Sequence, residues 1–403
     1  LILFTVYDRA IPELDIHLEQ QQKRGDSPIA APFAAQVLKD LSTYGFSTLE
    51  CLNYLAMFFQ IRRAFYFVDR SLVGRSDCMR ALRRRLWNNI FTSDIRWYVR
   101  HLWNRMEDYS LMLLGETGTG KGAAAQAIGR SGLIPYDDRK GCFVESFAQA
   151  FNSINLSEFT ETLIESELFG HRKGAFTGAV DHYEGAFARC SPHGSIFLDE
   201  LGDVAAPVQI KLLNVIQNRT FTPVGSRDRK RFQGRVIAAT NKDLDQLRAR
   251  GEFRDDLYYR LCSDCILVPP LRTRIQEDPR ELKDMVSHLL IRLTGNKDRE
   301  AFDLVMETLE RDLPPEYAWP GNVRELEQAI RRVLITHEYT GDSKPTSDGG
   351  EGLGAALFNG TLTANELMAQ YCKHLFKLHP NYSRVAEIVE LDRRTVKKYI
   401  DAD

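Results

Sequence analysis

The sequence predicts an α/β fold with all-helical material behind it, and three features carry that prediction. Residues 111–122, LMLLGETGTGKG, set a four-residue apolar strand, three glycines and a lysine in succession, and an Ala-rich helix follows. Two further apolar strands, Ser195–Leu198 and Val236–Ala239, each run into polar side chains, Asp199-Glu200 and Thr240-Asn241. From Leu271 onward the apolar residues recur at helical spacing, as at Leu326, Ile330 and Leu334. With 403 residues, 43% of them hydrophobic, the chain has material for roughly two to four domains with real cores.

Residues 1–71 carry apolar positions at helical spacing (Val37, Leu38, Leu41; Leu52, Leu55, Phe58, Ile61) and no catalytic constellation. They are expected to form a small, mostly helical module of unknown role. Arginine is then dense at positions 75, 80, 83, 84, 85, 96, 100 and 105, interleaved with Trp87, Trp97 and Trp103. Such a stretch can bind nucleic acid. It can equally form the anion-facing side of helices near a nucleotide, and the phosphate site that follows favours this second reading.

In 115–122 the glycines Gly115, Gly118 and Gly120, with Glu116, Thr117 and Thr119 between them, let backbone N–H groups turn onto oxyanions; Lys121 reaches the outer phosphates and the helix dipole adds to the attraction. Gly122 stands where the general pattern has the Ser or Thr that holds magnesium. After an irregular stretch, 131–150, the segment 166–179 ends in Gly174-Ala175-Phe176-Thr177-Gly178-Ala179. This apolar tip is either a contact point for another molecule or a turn buried between helices. Asp199 at a strand end suits magnesium, and Glu200 suits polarising a water. Asn241, at the end of the neighbouring strand, can sense the γ-phosphate. Arg254 and Arg260 are either phosphate-stabilising groups or surface partners of Asp255 and Asp256. In WPGNVREL, residues 319–326, Pro and Gly punctuate, Asn322 can cap, and Arg324 falls in the first helical turn.

Residues 341–360 are glycine-rich and polar, the composition of a flexible linker. Behind them come a helical stretch from Leu362, a helix over 382–391, a tight turn, and a basic helix bearing Arg393, Arg394, Thr395, Lys397 and Lys398. That layout is a helix-turn-helix, with Val385, Ala386, Leu391, Val396 and Ile400 as its packing residues. A basic helical hairpin for protein contact is the alternative. The formal net charge of −2 excludes a globally basic nucleic-acid binder and leaves a local basic face open. Seven scattered cysteines suit a reducing cytoplasm, and Cys262-x-x-Cys265 reads as two strand cysteines rather than a metal site. No run is long enough to span a membrane and no signal peptide is visible, while Leu1 in place of Met suggests a fragment of a longer chain.

Taken in order, GETGTGKG, SELFGHRKGAFTGA, GSIFLDELGD, AATNKDL, FRDDLYYRL, PPLRTR and WPGNVREL closely resemble the AAA+ ATPase of bacterial enhancer-binding proteins, the activators of sigma-54 RNA polymerase. The resemblance spans about residues 72–340, and GAFTGA is its most specific part. It implies a parallel αβα sandwich over 72–270, a helical lid over 271–340 and, through likeness to Fis-type modules, a DNA-binding domain over 361–403. It implies ATP and Mg2+ as ligands, a homo-hexameric ring, sigma-54 RNA polymerase and upstream DNA sites as partners, and no membrane. Laid on matching residues, Lys121 binds the β/γ-phosphates, Asp199 magnesium, and Glu200 activates water. Asn155 restrains that glutamate, Asn241 and Arg324 are sensors, and Arg254 and Arg260 act on a neighbouring subunit. Residues 174–179 contact sigma-54. The family usually has Glu at position 122, so a DNA-binding regulator whose ATPase is weak or lost, with nucleotide only gating assembly, stands as the alternative.

Overall fold

Strands β1 (Leu111–Leu114), β2 (Tyr136–Asp137), β3 (Cys142–Phe143), β4 (Phe151–Asn155), β5 (Ser195–Asp199), β6 (Thr220–Phe221), β7 (Lys230–Arg231), β8 (Arg235–Thr240) and β9 (Asp264–Leu267) set the frame. They belong to a computed structural model that describes residues 1–341, 363–379 and 381–401. Five strands form one parallel sheet in the order β4-β5-β8-β1-β9, and β2-β3 and β6-β7 are small antiparallel pairs. The register sets Leu111 beside Ile237 on one flank and Asp264 on the other. All-parallel strands need both faces covered, which is why β1, β5 and β8 read as near-continuous apolar runs.

The period of two divides the core. Leu111, Leu113, Phe197, Ile237 and Ala239 face one apolar cluster, and Met112, Ile196, Leu198, Val236 and Ala238 face the other. The second cluster is closed by the helices Glu161–Phe169, Ala206–Asn218 and Asp255–Leu261, through residues such as Leu168, Leu212 and Leu257. The first is closed by the helix Lys121–Gly129 and, beyond it, by the N-terminal helices α1 (Ile2–Arg24), α2 (Ala34–Thr43), α3 (Thr48–Ala64) and α4 (Asp77–Phe91).

That last point corrects the expectation of a separate module over 1–71. Leu1–Tyr339 is one compact unit. Phe59 of α3 stacks on Phe143 at 4.2 Å, and Leu14, Leu18, Leu55 and Phe58 are buried in the same cluster as Ala124, Ile128 and Phe147. The stretch 131–150, irregular in sequence, is the pad that receives these helices. Arg63 donates to the carbonyls of Arg130 and Gly132, both at 2.7 Å, Gln60 donates to Ser131 O at 3.0 Å, and Ser146 Oγ donates to Gly25 O at 2.7 Å. The α3 start is fixed locally by a capping box between Ser47 and Glu50.

The dense arginines also differ from expectation. Arg85 bonds Asp264 at 2.9 Å, Arg83 donates to Leu72 O at 3.0 Å, and Arg75 pairs with Asp284. Arg85 thus ties α4 to β9, Arg83 ties α4 to the segment before it, and Arg75, just ahead of α4, reaches the lid.

Helices Arg280–Thr294, Arg299–Asp312 and Asn322–Thr336 form the lid around Met285, Leu289, Val305, Leu309, Leu326 and Ile330. A buried ion pair, Arg274–Glu281 at 3.0 Å, anchors it, and Glu281 also accepts from the backbone N–H groups of Arg75 and Ser76. Burial raises the Glu281 pKa, but the Ser76 hydrogen bonds and Arg274 outweigh it, and the net shift is downward.

The second unit, described by itself, has helices Ala364–Leu378, Tyr382–Val389 and Arg393–Asp401. Leu375, Val385 and Val396 are its centre, with Ala386, Leu391 and Ile400 against them. Asn381 caps the middle helix by accepting from the Ser383 and Arg384 N–H groups. The linker expected over 341–360 lies outside the described residues from 342 onward. No described helix is long and apolar enough to cross a membrane.

Candidate nucleotide site and output surfaces

The parallel sheet brings the polar ends of β1, β5 and β8 to one edge, where open α/β sheets receive ligands. The loop 115–120 leaves β1 there, and Gly115, Gly118 and Gly120 all have positive φ. At Gly118 a Cβ would come within 2.2 Å of Gly321 O, so only glycine admits the lid this close. A Cβ at Gly120 or Gly122 would meet nothing within 4 Å. Lys121 is 6% exposed, and its ammonium donates to the loop's own carbonyls, Gly115 O at 2.9 Å and Glu116 O at 3.1 Å. Burial lowers its pKa, against the opposing charges of Glu200 and Asp199.

Asn241 Nδ2 donates to Thr117 Oγ1 at 2.8 Å, and the Asn241 N–H donates to Glu200 Oε2 at 3.4 Å. Glu200 sits in the left-handed region at φ +54°, which turns its carboxylate back beside Asn241. Burial pushes the Glu200 pKa above the usual carboxylate range, with Lys121 opposing and Asp199 adding. Asp199 Oδ1 accepts from the Glu200 N–H at 3.0 Å. Among the described residues no three His, Cys, Asp or Glu converge as a metal cage, Cys262 and Cys265 included. A magnesium ion held by one carboxylate and by substrate phosphates needs no such cage, so Asp199 fits it. A cleft of about 110 Å3 lies between loop and lid, lined by Leu72, Val268, Met285 and Val323 together with Arg274, His288 and Arg292.

Two residues of this site were not legible as site residues. Arg272 Nη1 donates to Glu116 Oε2 at 2.8 Å and holds that carboxyl below its ordinary pKa. Asn322, fully buried at φ +55°, does not cap its own helix. Instead its Oδ1 accepts from the Leu271 N–H at 2.8 Å, and its Nδ2 donates to Glu116 Oε2 and Thr117 O, both at 3.1 Å. The Gly321-Asn322 pair, apt for a left-handed residue, was the only local signal. Arg324 lies beside Gly118, whose added Cβ would come within 3.0 Å of the Arg324 Cβ.

Asn155 makes no bond to Glu200 in this structure. It opens the turn Leu156–Glu158, accepts from the Ser157 N–H at 3.2 Å, and donates to Glu158 Oε1 at 3.0 Å. Arg254 lies outside its own site and pairs with Asp256, with Nη2 to Oδ2 at 2.8 Å. Arg260 is exposed on the same helix, and Asp255 is taken by Arg248.

Residues 97–266 match the family described as the sigma-54 interaction domain. Over these residues the chain is similar to that domain. The DNA-binding transcriptional regulator NtrC of Rhizobium meliloti (strain 1021) is 41% identical over 269 residues, 66% of this chain and 48% of that protein. The regulatory protein AtoC of Escherichia coli (strain K12) is 37% identical over 228 residues, 56% of this chain and 45% of that one. The Nif-specific regulatory protein of Klebsiella pneumoniae is 37% identical over 268 residues, 66% of this chain and 44% of that one. The chain thus spans about half the length of the curated relatives it matches. A crystal structure of NtrX from Brucella abortus in complex with ADP aligns at 21% identity and a TM-score of 0.48, over 89% of this chain and 76% of that one.

Within the matched residues, Gly174–Ala179 forms a closed turn, with the Gly174 N–H donating to Ala179 O at 2.8 Å and the Ala179 N–H to Phe176 O at 3.0 Å. Thr177 and Gly178 are exposed at its tip, while Phe176 is half-buried, edge-on to His171 at 4.9 Å. The turn stands on the 224–228 segment: the Arg172 N–H donates to Val224 O at 3.0 Å and Arg172 Nε to Ser226 Oγ at 3.1 Å. In the C-terminal unit Arg393, Arg394, Thr395, Lys397 and Lys398 are all exposed, on the helix whose Val396 is buried.

Proposed function

We propose that this protein is a sigma-54-dependent transcriptional activator that hydrolyses ATP in a homo-hexameric ring and binds DNA through its C-terminal helices. The observation that carries the reading is the convergence of Thr117, Asn241 and Glu200 at one edge of the sheet, in a domain that also presents an exposed GAFTGA turn.

In this reading Lys121 leaves its loop carbonyls for the β/γ-phosphates, and the glycine N–H groups take the remaining oxygens. Asp199 would hold Mg2+, which would supply charge neutralisation on those phosphates. Glu200, made a stronger base by burial, accepts the proton of the attacking water, and Asn241 reports the γ-phosphate through Glu200 and Thr117. Arg324 approaches from the lid. Arg254 and Arg260, exposed and away from their own site, serve the neighbouring subunit, which requires head-to-tail closure. The turn at Phe176 and Thr177 meets sigma-54, and Asn155 acts between that turn and Glu200 only after releasing Glu158.

Two observations favour the second reading, a regulator with little turnover. Gly122 brings no hydroxyl to magnesium, and Lys121 is turned onto its own loop. Turnover of ATP by the full chain against Lys121→Ala separates the two: loss of a measurable rate in the variant supports hydrolysis, and equal, negligible rates abandon it. Thr177→Ala is expected to keep turnover and lose sigma-54 capture in the presence of a transition-state analogue of hydrolysis.

A further inference from the structure

A cavity of about 500 Å3 opens at the opposite edge of the sheet from the phosphate loop. Its lining includes Ser195 and Arg235, the first residues of β5 and β8, so the strands that lead to Asp199 and Asn241 begin here. At about 3.3 Å per residue, the two sites are roughly 15 Å apart along the strands. The cavity forms where the N-terminal layer meets the sheet, since one wall is the Ser131–Gly132 segment that Gln60 and Arg63 clamp.

Two chemistries line it. Trp103 and Met106 are apolar, while Arg219, Arg231, Arg235 and His193 are basic, and Asp108 is the one carboxylate among the described lining residues. Arg235 is engaged with Tyr109 O at 2.9 Å and Asn89 Oδ1 at 2.6 Å, and Arg219 with Gly234 O at 2.9 Å and Asp108 Oδ1 at 3.3 Å. Among the described residues, no carboxylate pairs with Arg231 or His193. Small-molecule sites are concave, largely apolar and furnished with a few placed polar groups. An excess of cationic groups in such a concavity selects an anion.

We propose that this cavity binds a small organic anion, its apolar body against Trp103 and Met106 and its charged group at Arg231 and His193. The ligand is recognised independently of the nucleotide and lies at the base of the strands that carry Asp199 and Asn241.

The probe is 8-anilinonaphthalene-1-sulfonate, an anion with an apolar body, titrated into the full chain and followed by its fluorescence. Saturable binding at one site per chain is expected. Arg231→Glu is expected to weaken it by about tenfold or more through charge reversal, and Asn104→Trp, an exposed position at the mouth, to block entry. Lys297→Glu, exposed in the lid, is expected to bind the probe as the parent does. Far-UV circular dichroism shows whether each variant is folded. No saturable binding by the folded parent, or parent-like affinity in both mouth variants, overturns the proposal.

Discussion

Phe59→Ala tests whether the front of the chain and the nucleotide sheet share one cooperative core. Phe59 is 1% exposed, stacked on Phe143 at 4.2 Å and edge-on to His17 at 5.2 Å, with the Arg63 guanidinium 4.6 Å above its ring. Truncating a buried phenylalanine costs about 3–5 kcal/mol, and the lost ring contacts place this case near 4. At about 1.4 kcal/mol per decade that is close to a thousandfold rise in the population of the open state. The assay is native-state hydrogen exchange, read on β1 and β8, which Phe59 does not belong to. A common core requires the amides of Leu111–Leu114 and Arg235–Thr240 to exchange about a thousandfold faster in the variant. Acceleration confined to α1–α3, with β1 and β8 unchanged, would refute the shared core and restore an independent N-terminal module.

His17 is 4% exposed, and burial, aided by the nearby Arg63 charge, lowers its pKa to about 4. The unfolded chain therefore takes up the proton first as pH falls, so the stability from this group is complete above pH about 6.5 and drains away down to about pH 4, by at most about 3 kcal/mol. Thermal melts between pH 7.5 and 5 should show about 2 kcal/mol of that loss in the parent and a shallower one in His17→Leu; identical slopes contradict the assignment. Asn322→Gly keeps the left-handed backbone but removes the bonds to Leu271, Glu116 and Thr117, at a cost of about 1–3 kcal/mol. Exchange of the Leu271 amide should quicken to match, and a parent-like rate would mean that Asn322 does not hold the lid. For Lys397→Ala, DNA affinity plotted against salt should lose about one unit of log–log slope with no change in site preference; an unaltered slope removes Lys397 from the phosphate contacts.

The sheet was legible because its strands are apolar runs that end abruptly in chemistry, as Leu198 gives way to Asp199 and Ala239 to Thr240-Asn241. The C-terminal helices were legible because Val385, Ala386, Leu391, Val396 and Ile400 lie close in sequence and pack together. The shared core was not, since periodicity shows that Leu55, Phe58 and Phe59 need a partner but not that Phe143 and Phe147 supply it. Asn322 escaped for the same reason: Pro-Gly-Asn announces a turn, while its bonds run to Leu271 and Glu116. Arg254 and Asp256 illustrate the opposite case, a local pairing that the sequence allowed and the fold makes.

The way α3 seats on the 131–150 pad bears on how such a chain can change over time. A front end joined by a tether is interchangeable, and recombination can exchange one such module for another without touching the domain behind it. Here Phe143, Phe147 and Ala124 would be stripped of their cover by that exchange, so any replacement would have to bring the same apolar imprint with it.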